Sequence, residues 1–134
     1  MRINRDGNVG IGTTAPATDA RLAIKDGHLQ SQQTTLITST STVNTSAQSL
    51  TNATDVAGNI SFTPASALAG SVQFTFISSY TIIPIVIITP TNADAATDIV
   101  RVFVTPALGT CTINFGSGCS LTAHTYSYHV IETQ

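Results

Sequence analysis

Six short segments in the second half of the chain carry the apolar patterning of β-strands. Gly, Pro, Asn and Asp separate them, and they read GNISFTP, GSVQFTFI, TIIPIVIITP, DIVRVFVTP, TCTINFG and TYSYHVIE. Apolar and polar residues alternate from Val72 to Phe76 and again from Tyr126 to Val130, which is typical of a sheet with one buried face. Many short strands with frequent turn signals predict an all-β fold, with an antiparallel β-sandwich over residues 59–134.

Two of these segments are apolar at consecutive positions rather than at alternate ones. IIPIVII and IVRVFV have apolar residues on both faces of the predicted strands. Such a strand either lies centrally between two layers or presents its outer face to another subunit. No window of useful length has the apolar spacing of a helix, so the sequence predicts no helix.

The first 58 residues differ in character from the rest. A glycine-rich string, GNVGIGTTAP, is followed by ARLAIKDGHLQ, and residues 31–58 are dominated by Ser, Thr, Gln and Asn. A polar, β-branched segment is consistent with an extended strand that buries little, or with a flexible linker. Residues 1–58 are therefore predicted to form an extended stalk or connector, and residues 59–134 the head domain.

The glycine string lacks the features of a nucleotide-binding loop. Its order, G-x-x-G-x-G, is the reverse of the dinucleotide fingerprint, no predicted helix follows it, and no Lys-Ser or Lys-Thr pair is present. Glycine permits positive φ and close backbone approach, so these residues suit chains packed around an axis, with the apolar side chains pointing inward. The predicted stalk-packing residues are Gly7, Val9, Gly10, Ile11 and Gly12.

Charge is scarce, and this excludes several classes of partner. Charged residues make up 9% of the chain, against about 25% in an average domain, and Arg101 is the one basic residue after Lys25. Nucleic acid binding needs clustered Lys and Arg, so it is not predicted. The longest apolar run, residues 82–88, is far too short to span a membrane, and no signal-peptide core is seen in the first thirty residues. The chain is expected to be soluble.

The two cysteines, Cys111 and Cys119, are separated by TINFGSG. This spacing suits two strands that face each other across a hairpin turn at Gly116, Ser117 and Gly118. A disulfide between them and a pair of buried free thiols are both compatible with the sequence.

The remaining polar residues give little support for catalysis. His124 and His129 lie on one predicted strand and face opposite sides, and His28 lies in another part of the chain. The histidines are therefore expected to be exposed polar residues, and no metal site or cofactor is predicted. No G-x-S-x-G motif is present and carboxylates are few, so the chain is predicted not to be an enzyme.

The longest polar loop of the C-terminal zone is TNADAATD, residues 91–98. Recognition residues often lie at loop tips that a rigid sandwich supports. Asn92, Asp94 and Asp98 are therefore the predicted ligand-binding residues, with solvated turn residues as the alternative interpretation.

Three stretches resemble known fibre proteins. DGNVGIGTTAPATDARLAI resembles a shaft segment of phage tail fibres and related trimeric fibre proteins, and FTFISSYTIIPIVIITPTN and TYSYHVIE resemble parts of their small C-terminal tip sandwiches. These tips are similar in outline to H-type lectins, which bind sugars as trimers. The resemblance implies a homotrimer in a virion tail fibre or an extracellular appendage, whose head attaches to a cell-surface glycan or protein. The alternative is a purely structural subunit of an extracellular filament or virion, with no ligand.

Overall fold

The computed structural model of the chain describes residues 2–5, 7–15, 22–24 and 38–132. The chain divides into two compact units, residues 1–30 and residues 31–134. Strands dominate both units, so the predicted all-β class is confirmed. His28 lies outside the described residues.

The N-terminal unit contains a small three-stranded sheet. Its strands are β1 (Arg2–Ile3), β2 (Val9–Ile11) and β3 (Leu22–Ile24), with β2 antiparallel to β1 and parallel to β3. Gly7 and Gly12 flank β2 with φ values of 80° and 74°. Glycine adopts this left-handed region without the steric cost that a Cβ atom brings, which explains the two outer glycines of the string. Packing of the string around an axis between copies stays a prediction.

The described residues of the second unit form eight strands in two sheets. They are β4 (Thr38–Val43), β5 (Thr45–Thr51), β6 (Ala57–Pro64), β7 (Gly70–Thr75), β8 (Ile85–Pro90), β9 (Val102–Pro106), β10 (Thr110–Phe115) and β11 (His124–Ile131). The first sheet has the order β4-β7-β10-β9 and the second sheet has the order β5-β6-β11-β8. All neighbouring strands in these two sheets are antiparallel.

The last six of these strands match the six segments predicted from the sequence, whereas β4 and β5 do not. Both lie in the polar stretch that the sequence assigned to the connector. β4 pairs with β7, and β5 pairs with β6 from Thr45 opposite Pro64 to Thr51 opposite Asn59. Leu50 is the β5 side chain that packs against the core. An edge strand depends on backbone pairing more than on apolar burial, so a sequence rich in Ser and Thr can form one. The structure therefore places residues 38–51 in the two sheets and not in a connector.

Aromatic rings join the inner faces of the two sheets into one core. Phe62 of the second sheet stacks on Phe115 of the first sheet, with ring centroids 5.3 Å apart, and Tyr128 stacks on Phe74 at 4.8 Å. All four side chains are almost completely buried. Each such pair adds about 1 kcal/mol to the stabilisation that its buried area provides, so the pairs help to hold the two sheets together.

A short helix interrupts the all-strand pattern, and the prediction of no helix is wrong. Helix α1 (Ala93–Asp98) leads into one 3₁₀ turn, Ile99–Arg101. The Asn92 side chain caps α1 by accepting a hydrogen bond of 3.0 Å from the backbone N–H of Ala95. A helix of six residues is too short to show a periodic apolar stripe, so the cap alone signals it. Within the described ranges, no helix has the length and apolar character needed to cross a membrane.

The two strands that are apolar on both faces lie at sheet edges. β8 ends the second sheet and β9 ends the first sheet, so the alternative that placed them centrally is wrong. Their outward side chains are exposed, with Ile85 at 50%, Ile87 at 49% and Phe103 at 61% of full exposure.

Candidate functional site

A buried polar cluster joins the end of α1 to the start of β11. Asp98 and His124 are 3% and 1% exposed, and Oδ2 of Asp98 lies 2.9 Å from Nε2 of His124. The same oxygen accepts a hydrogen bond of 2.8 Å from the backbone N–H of Ser120. Oδ1 of Asp98 accepts one of 2.9 Å from Nη1 of Arg101. The carboxylate therefore has partners at both oxygens.

The protonation of this cluster follows from its hydrogen bonds. The backbone N–H of Ser120 and then the His124 ring lower the pKa of Asp98, against the opposing effect of burial. Nδ1 of His124 lies 2.9 Å from the carbonyl oxygen of Thr122, which only accepts, so Nδ1 carries a hydrogen. Nε2 lies beside Oδ2 of Asp98, so the ring links the carboxylate to the carbonyl of Thr122.

This cluster contains Ser, His and Asp but lacks the geometry of a catalytic triad. Oγ of Ser120 lies 3.5 Å from Nε2 of His124, the same nitrogen that Asp98 contacts. In a triad the nucleophile and the carboxylate bind different ring nitrogens, so that the ring can pass a proton between them. The cluster is therefore built to hold α1 against β11. The absence of enzymatic activity stays a prediction.

His124 also corrects an expectation from the sequence. The histidines were expected to be exposed, which is wrong for His124 and right for His129. The signal was available, because His124 is in step with the buried Tyr126, Tyr128 and Val130 in a strand of period two. The expectation that His124 and His129 face opposite sides is confirmed.

The three predicted ligand-binding residues have different environments. Asn92 caps α1, and its Nδ2 donates a hydrogen bond of 2.7 Å to the carbonyl oxygen of Ala123. Asp98 is buried in the polar cluster, and Asp94 is half-buried in the first turn of α1. Asn92 and Asp98 thus serve the fold internally. Ligand binding by these residues stays a prediction, and Asp94 is the member that no hydrogen bond described here ties to the fold.

The two cysteines are buried free thiols. The predicted hairpin between them is wrong, because the chain turns at Gly118, where φ is 82°, and then crosses from the first sheet to β11 in the second sheet. The register partners of Cys111 are Phe74 and Pro106, not Cys119. Burial raises the pKa of the Cys111 thiol to about 12. Burial and then the charge of Asp98 raise the pKa of Cys119.

Neither thiol is expected to react with Ellman's reagent at pH 8 in the folded protein. The thiolate is the reactive form, so burial and a raised pKa should slow labelling at least about a hundredfold relative to free cysteine. Both thiols should react at once in concentrated urea. Rapid labelling of one thiol per folded chain, mapped by mass spectrometry, would contradict this description of the cysteines.

A shallow groove of about 270 Å³ lies on the outer side of β5 and β6. Ser49 stands opposite Ser61 and Ala47 stands opposite Thr63 in the strand register, and these four side chains share one face. Ala123 also lines the groove, and its carbonyl oxygen accepts the hydrogen bond from Nδ2 of Asn92. The full set of lining residues is Ala47, Gln48, Ser49, Ser61, Phe62, Thr63 and Ala123.

The groove is uncharged, and its surface combines hydroxyl groups with a larger apolar part. No Asp, Glu, Lys, Arg or His is among its lining residues. Hydroxyl groups continue beside it, since Oγ1 of Thr125 donates to Oγ of Ser61 at 3.2 Å and Oγ of Ser127 donates to Oδ1 of Asn59 at 2.6 Å. Each hydroxyl both donates and accepts, so this face can exchange hydrogen bonds with a ligand that carries neutral hydroxyls.

A metal site has no support in the part of the chain that the structure describes. No group of three or more His, Cys, Asp or Glu residues is placed there to hold an ion. Comparison with models of known protein families, with curated proteins and with solved structures gives no match.

Proposed function

We propose that this chain is the tip of a homotrimeric fibre, in a virion tail fibre or an extracellular appendage, and that it attaches to a cell-surface saccharide. In this proposal the two four-stranded sheets form a β-sandwich head and the N-terminal residues form the stalk. The observation that carries the proposal is the uncharged, hydroxyl-lined groove beside Ala123.

The chemistry of the groove favours a neutral saccharide. A sugar presents hydroxyls that both donate and accept, and Ser49, Ser61 and Thr63 offer the same groups on a flat sheet face. The methyl groups of Ala47 and Ala123 provide small apolar contacts for the C–H face of a ring. A pocket with a few fixed polar groups among apolar ones is the usual form of a small-molecule site.

The N-terminal unit supports the trimeric stalk in this proposal. Ile3, Ile11 and Leu22 are exposed at 61%, 45% and 52% in the described part of this unit. Exposed apolar side chains of this density mark surfaces that associate, and identical copies around a threefold axis would cover them. Three heads on one stalk also compensate for weak binding at each single groove.

A bulky side chain placed in the groove should weaken saccharide binding. Tyr replaces an exposed strand residue at little cost to the fold, so Ser49→Tyr should weaken binding to array-identified glycans at least tenfold without changing the far-UV circular dichroism. The matched control is Thr75→Tyr, an exposed strand position in the other sheet, which should bind like the wild type.

The outcomes separate the groove from the alternatives. Equal glycan binding by Ser49→Tyr and the wild type would move the site elsewhere, and Asp94→Ala then tests the loop without disturbing the buried cluster. A threefold assembly that binds no saccharide or cell surface would instead favour the purely structural subunit.

A further inference from the structure

Two exposed apolar patches flank a single edge of the head. The isoleucine patch consists of Ile85, Ile87 and Ile131, and the phenylalanine patch consists of Val100 and Phe103. β8 carries two members of the first patch and lies against β9, which carries Phe103. The two patches therefore belong to the same border of the head but to different sheets.

The isoleucine patch lies on the outer face of the second sheet. Ile85 stands opposite Ile131 in the register of β8 and β11, and Ile87 stands opposite His129. The three isoleucines are 50%, 49% and 49% exposed. Val86 is buried beside them, so the alternation of β8 sends these side chains away from the core.

The phenylalanine patch lies on the other side of the same border. Phe103 is 61% exposed and Val100, in the preceding 3₁₀ turn, is 84% exposed. Val102 and Val104 pack against the core, so Phe103 between them points outward from the first sheet. A phenylalanine with this exposure on a strand of regular pairing is unexplained by the fold of one chain.

Prolines at this border disfavour pairing with a strand of another chain. Pro84 precedes β8, Pro90 ends it, and Pro106 ends β9. Proline has no backbone N–H, and it discourages the addition of a foreign strand to a sheet edge. Association at this border is therefore expected through side-chain packing of the two patches.

We propose that the isoleucine patch of one copy packs against the phenylalanine patch of the next copy, closing a ring of three heads. A twofold dimer uses one patch that complements itself, whereas a ring uses two different patches on each copy. This chain has two such patches, and they lie on the outer faces of different sheets beside one border. The choice of three copies rests on the proposed homotrimer.

The area is adequate for the centre of such an interface. With Ile82 and Ile83, which precede β8, the exposed apolar side chains present roughly 400 Å² if a fully exposed one presents about 100 Å². That is about a quarter of the ~1,600 Å² that a standard interface buries, and the remainder is normally a polar rim.

The charges near the patches lie where a rim would be. Glu132 follows Ile131, and its carboxylate accepts a hydrogen bond of 2.9 Å from Oγ1 of Thr81. Arg101 follows Val100 and is paired with Asp98. Arg101 is thus paired with an opposite charge within its own copy, Glu132 is hydrogen-bonded there, and His129 lies inside the isoleucine patch.

Crosslinking between two single variants tests this contact in the full chain. Ile87→Cys and Phe103→Cys chains, co-expressed and treated with a short bismaleimide, should yield a two-chain product that contains one of each. Each variant expressed alone should yield no such product, because position 87 meets position 103 and not itself. The native cysteines are buried, and Leu68→Cys paired with Phe103→Cys is the control, since Leu68 is 69% exposed and belongs to neither patch.

The results separate this interface from the proposed trimer. A mass of three chains with no mixed product would overturn the ring contact while leaving the trimer in place. Crosslinking of Ile87→Cys with itself would also overturn it, because the isoleucine patches would then meet each other. A mass of one chain for the wild type would contradict the trimer itself.

Discussion

Phe62→Ala should lower the free energy of unfolding by about 4 kcal/mol. The Phe62 ring is the centre of an aromatic stack, with centroids 5.3 Å from Phe115, 5.7 Å from His124 and 5.9 Å from Tyr126. Its removal leaves a cavity between the two sheets and exposes one side of the His124 ring. Urea unfolding followed by circular dichroism measures the loss.

The matched control for Phe62→Ala is Leu68→Ala. Leu68 is 69% exposed, so its removal should change the unfolding free energy by less than about 0.5 kcal/mol. All variants must be compared at one protein concentration, because association stabilises a folded chain by mass action. A loss below about 1 kcal/mol for Phe62→Ala would show that the two sheets do not depend on this stack.

Asp98→Ala should lower the free energy of unfolding by about 3 kcal/mol at pH 7. The change removes the partner of His124 Nε2, of the Ser120 backbone N–H and of the Arg101 guanidinium at once. Buried polar groups that lose their partner cost more than a weakened surface pair. The same urea titration measures the effect.

Asp94→Ala is the control within the same helix. Asp94 lies in the first turn of α1, where its charge is worth about 0.5 kcal/mol with the helix dipole. The two variants also differ in their response to acid. The folded-state pKa of Asp98 is below its ordinary value of 3.8, so its contribution is complete above that pH and is lost as the pH falls through the folded pKa. The gap between wild type and Asp98→Ala should therefore shrink below about pH 3.8, and a constant gap would contradict the lowered pKa of Asp98.

The sequence predicted the strands in which apolar and polar side chains alternate. It did not predict the elements that form through backbone pairing or through a helix cap. The alternation of apolar and polar residues from Val72 to Phe76 identified β7, because every second side chain of this strand is apolar and buried. β4 and β5 gave no such signal, because they pair through their backbones at sheet edges with Ser and Thr side chains. Helix α1 depends on the Asn92 cap and on six residues, which is less than two helical turns.

The candidate site was harder to predict because it depends on register. The hydroxyl groove needs Ser49 opposite Ser61, and the cluster needs Asp98 beside His124, 26 residues away in the chain. Asp98 and Asn92 were predicted to bind a ligand, and this stays a prediction. The residues alone did not show that Asp98 is buried and that Asn92 holds Ala123, because both facts depend on the path of the chain between the two sheets.

The mass of the native assembly tests the central proposal most directly. Sedimentation or native mass spectrometry of the full chain at micromolar concentration should give three chains, since the N-terminal unit and the β8/β9 border both expose apolar side chains. Gly10→Val should then weaken this assembly while each head stays folded, because Gly10 is buried in β2 of the glycine string. A single chain at that concentration would contradict the account of a trimeric fibre tip.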